Sequence, residues 1–224
     1  MRVLALDSTN RAGSVALVVD DRVVDERAGD ASRTHGERLP AELAQLGAAW
    51  DTIDIFAVAA GPGSFTGLRI GIATMQGLAL VTGRRVVGVS ALEALAQLAS
   101  DGRPAGSIVA SWIDAQRGEV FSALYQVADA PLFTPERLVE IEAPAVATPE
   151  ATRAAWARHN LMTAAFTGDG AARYLTGVGS PPLLAGAIGR MAAVGASRGR
   201  TVSPAGVHPL YIRRPDAELA RDRH

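Results

Sequence analysis

The 224-residue chain contains no cysteine. Disulfides, thiol nucleophiles and thiolate-held zinc or iron–sulfur centres are therefore excluded. Lysine is absent as well, so all 22 basic residues are arginine. That removes a P-loop lysine and a Schiff-base lysine. No excess charge of one sign is present either. The formal net charge is −1, which supplies no global pull toward nucleic acid. The arginines near the C-terminus (Arg198, Arg200, Arg213, Arg214, Arg221 and Arg223) read first as a solvated end, with RNA phosphate contact as the rarer alternative. No apolar run reads as long enough to cross a bilayer. The opening MRVLALDST passes straight into a strand pattern with no cleavage site, so no signal peptide is expected and the cytoplasm is the expected location. The histidines His35, His159, His208 and His224 form no i, i+4 pair on a helix, so no metal site is legible.

What is present points to an α/β protein. Apolar residues make up 48% of the chain, enough for one large domain or two small lobes. Arg2 to Asp7, Ser14 to Val19 and Arg22 to Ala28 read as consecutive strands separated by turn residues. A helix is expected from Glu37 to Ala49, with Pro40 tolerable only in its first turn. A strand from Ile53 to Ala60, a helix from Leu68 to Thr82, a strand from Val86 to Val89 and a helix from Ser90 to Ser100 follow. Ser90 and Glu93 have capping-box spacing. The order is βββαβαβα, closed by the linker-like Asp101–Gly106. Beyond it, a hairpin is expected around Ala115–Gly118. The proline-rich 129–150 should be irregular with one short strand near Leu138–Ile141. A short helix at Thr152–His159, a strand at Leu161–Thr167 and a weak small-residue helix at Leu183–Ser197 complete the reading. Each half begins with strands and then alternates with helices, so a loose duplication is expected.

The most informative segment is GPGSFTGLRIG, residues 61–71, between a buried strand and an apolar helix. Gly61, Pro62, Gly63, Ser64, Phe65, Thr66 and Gly67 either cradle a phosphate at a helix N-terminus or form a tight corner, with Ser64 as N-cap. Spacing alone does not choose between them. Asp7, after the first strand, and Gly168, Asp169 and Gly170, after a later one, are candidates for a nucleotide site between two lobes. Ser64 lacks a G-x-S-x-G context, since Thr66 replaces the last glycine. Asp114 and Glu119 flank a hairpin and read better as solvated turn acids than as a catalytic pair. Leu39, Leu43 and Leu46 on one helix, and Leu68, Ile72 and Met75 on the next, form stripes that serve either the core or a partner.

Taken together, ALDSTNRAGSVAL, THGERL, GPGSFTGLRIG, VVGVSALEALA, IDAQRGEVFSALY, GDGAARY and HPLYIRR, in that order, resemble the TsaB (YeaZ) family, which serves threonylcarbamoyladenosine synthesis in tRNA. Gly36 departs from the family's usual serine after the helix-opening histidine. The resemblance implies a two-lobed actin-like ATPase (ASKHA) fold, each lobe a mixed sheet with flanking helices. One lobe would span 1–102 and the other 103–224, with the 204–224 tail packing back on the first. It further implies no catalysis and no cofactor or metal. The partner would be a TsaD-type transferase, which moves a threonylcarbamoyl group to N6 of the adenosine beside the anticodon in tRNAs reading ANN codons. A TsaE-type ATPase would join the pair, the chain would form homodimers in isolation, and tRNA contact would be indirect. His35, Leu39, Leu43, Leu46, Leu68, Arg69, Ile72 and Met75 are the expected partner-contact residues. A glutamate at Leu43 should then abolish pairing without unfolding the lobe. Asp7, Gly168, Asp169 and Gly170 would be vestigial nucleotide-site residues. The rival reading is an ATP-binding kinase or ATPase of the same fold using the inter-lobe cleft.

Overall fold

A computed structural model describes residues 1–47 and 49–213; Arg214, Arg221, Arg223 and His224, singled out above, lie outside them. Strands β1 (Arg2–Asp7), β2 (Ser14–Val19), β3 (Arg22–Ala28), β4 (Ile55–Gly61) and β5 (Arg85–Ser90) form a five-stranded sheet in the order β3-β2-β1-β4-β5. β1 runs antiparallel to β2 and parallel to β4. Strands β6 (Ile108–Asp114), β7 (Val120–Val127), β8 (Leu138–Ala147) and β9 (Ala165–Thr167) form a second sheet in the order β8-β7-β6-β9, again with a hairpin followed by a parallel neighbour. The expected duplication is visible in this shared order, and the two mixed sheets with flanking helices are the actin-like fold.

Side-chain alternation sends successive residues of a strand to opposite faces. On β1, Leu4 and Leu6 join Leu17, Phe56 and Val58 on one face of the first sheet. Helices α1 (His35–Gln45) and α2 (Phe65–Thr82) cover that face with Leu39, Leu43, Leu46, Ile72 and Met75. Val3 and Ala5 point the other way, toward α3 (Ala91–Ala99) and α6 (Ala185–Ser197). That second core also holds Val109, Ile113, Phe121 and Tyr125 of the other sheet, so the two halves share one apolar interior. The outer face of the second sheet buries Trp112 against Trp156 and Phe166, under α4 (Pro149–Ala155) and α5 (Asp169–Tyr174).

Helix α6 is the least conspicuous in sequence and the most central in space. Its small residues allow close approach to the first sheet. A Cβ added to Gly189 would lie 2.6 Å from Val18 Cγ2. Its N-terminal amides are capped from the first lobe: Leu184 and Ala185 N–H donate to Ser14 Oγ at 3.2 and 3.0 Å, and Gly186 N–H donates to Glu26 at 2.7 Å. The chain therefore returns to the first lobe at α6, ahead of residue 204. The strap that follows bridges Val202 to Val86 and donates Leu210 N–H to Ala60 at 2.6 Å.

Several local expectations are corrected. The stretch 129–150 holds a ten-residue strand, β8, where a short one was expected. β8 is an edge strand with register shifts against β7, and an edge tolerates Pro144 because its missing N–H interrupts no inner ladder. Pro40 lies inside α1, beyond its first turn, and the helix stops at Gln45. Thr34 and Glu37 form a full capping box there, which offsets the poor start that Gly36 gives. At α3, Ser90 Oγ accepts the Glu93 N–H at 3.3 Å. Glu93 returns no bond to Ser90 in the helix cap, so that cap is half a box. α2 does have the length and apolar composition of a membrane span. One side of it, however, packs into the lobe through Leu68, Ile72, Met75 and Ala79.

The burial of Leu43, 2% exposed, reverses the expectation for that residue. Leu43→Ala should lose about 2–5 kcal/mol, lowering the thermal midpoint by roughly 4–20 °C. Leu43→Glu should leave no folded protein by circular dichroism, because an unpaired carboxylate would be buried with it.

Candidate functional site

The glycine-rich segment after β4 is shaped by the β1–β2 turn. Ser64 N–H donates to the Thr9 carbonyl at 2.7 Å. Ser64 Oγ, as expected of an N-cap, accepts the Gly67 N–H at 3.3 Å. A Cβ on Gly63 would stand 2.6 Å from Thr9 Cβ, one on Gly67 2.1 Å from the Ser8 carbonyl and one on Gly71 2.0 Å from Ser8 Oγ. The glycine side of the helix start is thus filled by the protein's own hairpin. Gly61 has φ +119°, precedes a cis bond to Pro62, and its Cβ would meet the Leu210 carbonyl at 2.9 Å. Only glycine accommodates that φ together with so close an approach to Leu210. The geometry is that of a corner.

A second device ties α1 to the same turn. Arg38, 1% exposed, donates to the Arg11 carbonyl at 3.2 Å and to the Ala12 carbonyl, and pairs with Glu42 at 2.6 Å. Gly29 leaves the space its guanidinium occupies, since a Cβ there would lie 1.6 Å from Nη1. His35 is also buried. Its Nε2 donates to the Asn10 carbonyl at 2.9 Å, so Nδ1 accepts from Arg38 at 2.7 Å. Burial, and then the Arg38 charge, hold the imidazole below its ordinary pKa. His35 is accordingly part of an internal brace, not of the partner rim assigned to it above.

Between the lobes lies a cleft of about 730 Å³. Thr9, Asn10, Arg11, Arg33, Thr34, Phe65 and Thr66 form one wall, and Asp114, Gln116, Phe121 and Asp169 the other. Asp7 and Asp169 both face a smaller adjoining cavity of about 330 Å³. Asp7 accepts Thr9 N–H at 2.9 Å and Thr9 Oγ1–H at 2.6 Å on one oxygen. Asp169 accepts Asp114 N–H at 3.0 Å and Gly170 N–H at 2.9 Å. Burial raises both carboxyl pKa values. A Cβ on Gly168 would sit 2.1 Å from the Trp112 carbonyl, and one on Gly170 2.9 Å from the Ile113 carbonyl carbon. The glycines beside Asp169, like those of the first lobe, seat a helix against a strand. Asp114 pairs with Arg173 at 2.8 Å and Glu119 with Arg213, so the two hairpin acids face different cations and not each other. His159 bonds Glu142 at 2.6 Å, beyond the end of α4. Among the described residues, no three His, Asp or Glu side chains are grouped to hold a cation.

The expected partner-contact leucines are core. Leu39, Leu43, Leu46, Leu68, Ile72 and Met75 are all buried within their own lobe. Of the eight residues assigned, Arg69 alone is at the surface, where Nε donates to Tyr211 Oη at 3.0 Å. The other side of each helix is open. α1 exposes Pro40, Ala41 and Ala44, and α2 exposes Ala73, Gly77, Leu80 (73%) and Val81 (87%). The 3.6-residue period locates two stripes per helix and does not by itself say which one meets the sheet. The small residues opposite each leucine stripe were the available signal.

Asp7 gives a pH test. Its folded pKa is raised, so its contribution to stability is full below the unfolded value of about 3.9 and is lost as pH rises through the folded value. Asp7→Asn keeps an oxygen for both Thr9 donors. It should melt above the parent protein at pH 7, with the gap closing toward pH 3, as read by thermal denaturation at both values.

Comparison with known proteins agrees with this geometry. Residues 28–172 match the family model of TsaD, tRNA N6-adenosine threonylcarbamoyltransferase. The Escherichia coli tRNA threonylcarbamoyladenosine biosynthesis protein TsaB is 40% identical over 130 residues, 56% of this chain and 55% of that protein. The match thus spans about half the length of this curated relative. A crystal structure of a Pseudomonas aeruginosa protein, described as similar to peptidase YeaZ, superposes with a TM-score of 0.75 at 30% identity. That superposition covers 95% of this chain and 99% of the other. YeaZ from the same organism gives 0.72 at 28% identity, covering 94% and 100%. With the fold, the glycine corner and these matches in agreement, the chain belongs to the TsaB (YeaZ) family, whose domain is TsaD-like.

Proposed function

We propose that this chain is a scaffold subunit of the machinery that places threonylcarbamoyl on N6 of the adenosine beside the anticodon in tRNAs reading ANN codons. It carries no catalysis of its own and works in the cytoplasm. It docks a TsaD-type transferase through the exposed sides of α1 and α2, with Arg69 at the rim, and a TsaE-type ATPase joins the pair. In isolation the same surface pairs two copies. The observation that carries this reading is the open face of α2, where Ala73 and Gly77 lead to the exposed Leu80 and Val81. Small residues let another helix approach closely, and large apolar side chains exposed in sequence on one helix favour a partner over water. The rival reading, an ATP-using enzyme in the cleft, is weakened by the glycines: their open sides are occupied by Ser8, Thr9 and Trp112.

Ala73→Arg and Leu80→Glu should each stay within about 0.5 kcal/mol of the parent stability, as surface substitutions do, yet fail to co-purify with the transferase. Retention of the transferase by both variants would refute the docking face. Titration calorimetry of the isolated chain with Mg-ATP should release no stoichiometric binding heat; tight binding with hydrolysis would install the enzyme reading instead.

A further inference from the structure

Phe65, which lines the cleft, forms a preassembled stack with Tyr211 and Arg69, which line a separate hollow beside Ala73 and Gln76. The Phe65 and Tyr211 rings lie 5.2 Å apart at 30°. The Arg69 guanidinium sits 3.9 Å from the Phe65 centroid, and its Nε–H bonds Tyr211 Oη. Phe65 is 38% and Tyr211 37% exposed, so ring surface remains open to solvent. Phe65 continues into the cleft wall that holds Arg11 and Arg33. Arg11 Nε donates to the Ala31 carbonyl at 2.7 Å and Arg33 to the Glu37 carbonyl at 3.2 Å. Among the described residues, neither they nor Arg69 form an ion pair. The nearest acids on the opposite wall are engaged elsewhere: Asp114 with Arg173, Asp169 with backbone amides.

Exposed aromatic faces beside arginines held in no close ion pair, with Asp30 and Glu37 the acids nearest Arg33, suit one chemistry: a flat base on the ring and phosphates on the guanidinium groups. A folded protein partner would more often meet such arginines with acids, whereas an RNA strand supplies base and phosphate together. We infer that Phe65, Tyr211 and Arg69 stack an unpaired base of tRNA, with Arg11 and Arg33 on the flanking phosphates. This rests on the proposed role in tRNA modification and extends it, since tRNA then touches this chain directly. The weak overall charge fits such a site, because the attraction is local and the stacking supplies the selectivity for unpaired bases.

The test titrates the full chain, alone and with the transferase, against a fluorescein-labelled RNA hairpin whose loop carries unpaired adenosines, read by anisotropy. A blunt duplex of the same strand length and free ATP are the control arms. The hairpin should bind more tightly than the duplex, and ATP at equal concentration should not displace it. Phe65→Leu and Tyr211→Leu should each weaken the hairpin about tenfold. Arg11→Gln should weaken it and lower the salt slope by about one. All three variants should melt near the parent temperature and still co-purify with the transferase. The inference is overturned if the hairpin fails to bind in both settings, if duplex binds equally, or if ATP displaces it. It is equally overturned if the variants lose the transferase and keep the RNA, which would make the stack a protein interface. If the parent chain itself fails to retain the transferase, the scaffold reading falls, while the titration of the chain alone still decides the stack.

Discussion

The Ser64 N–H to Thr9 carbonyl contact, 2.7 Å long, is the point from which the first lobe is built. It seats the N-terminus of α2 directly on the β1–β2 turn, and the glycines at 63, 67 and 71 exist in their bare form because Ser8 and Thr9 occupy the space of their side chains. A methyl group at any of them would push the helix away from the sheet. Because the helix start is pinned, its rotation about its own axis is pinned too. Ile72 and Met75 then face the core, and Ala73 and Gly77 face out. The glycine motif therefore decides which side of α2 faces the core and which faces solvent.

The second organising feature is the shared interior. Helices α3 and α6 lie between the sheets, and α6 comes from late in the chain yet packs chiefly on the first sheet. Ser14 and Glu26 of that sheet cap its N-terminus. Amides at a helix start have no partners inside the helix, so these cross-lobe bonds hold the halves together while completing the helix. The stack of Phe65, Tyr211 and Arg69 joins α2 to the returning strap.

Arginine does structural work here that lysine could not. Arg137 reaches Ser100 and the carbonyls of Ala128, Ala130 and Arg103 with one planar fork. Arg38 spans two carbonyls, an imidazole and a carboxylate. A point-like ammonium group offers fewer donors and no fixed plane. Arg11, Arg33 and Arg69 each give one donor to the fold, at Ala31, Glu37 and Tyr211.

Much of the architecture was legible in the residues. β1, β2 and β3 begin and end where alternation and turn chemistry place them, and the βββαβαβα order follows. Ser64 as N-cap and the hairpin around Ala115–Gly118 were readable for the same reason: local hydrogen bonding and φ preferences act over a few residues. β8 was misread because proline content signals irregularity, and only the strand's place at a sheet edge makes Pro144 harmless. The leucine stripes of α1 and α2 were correctly located but assigned to the wrong side. Periodicity is a property of one helix, and the choice of which stripe is buried belongs to the sheet beneath it. The same holds for His35, whose burial comes from Arg38 and Asn10 meeting it from distant parts of the chain. What the residues determined alone was element type, order and family, since these rest on short-range spacing; what the tertiary structure decided was exposure, because burial depends on which surfaces the completed fold brings face to face.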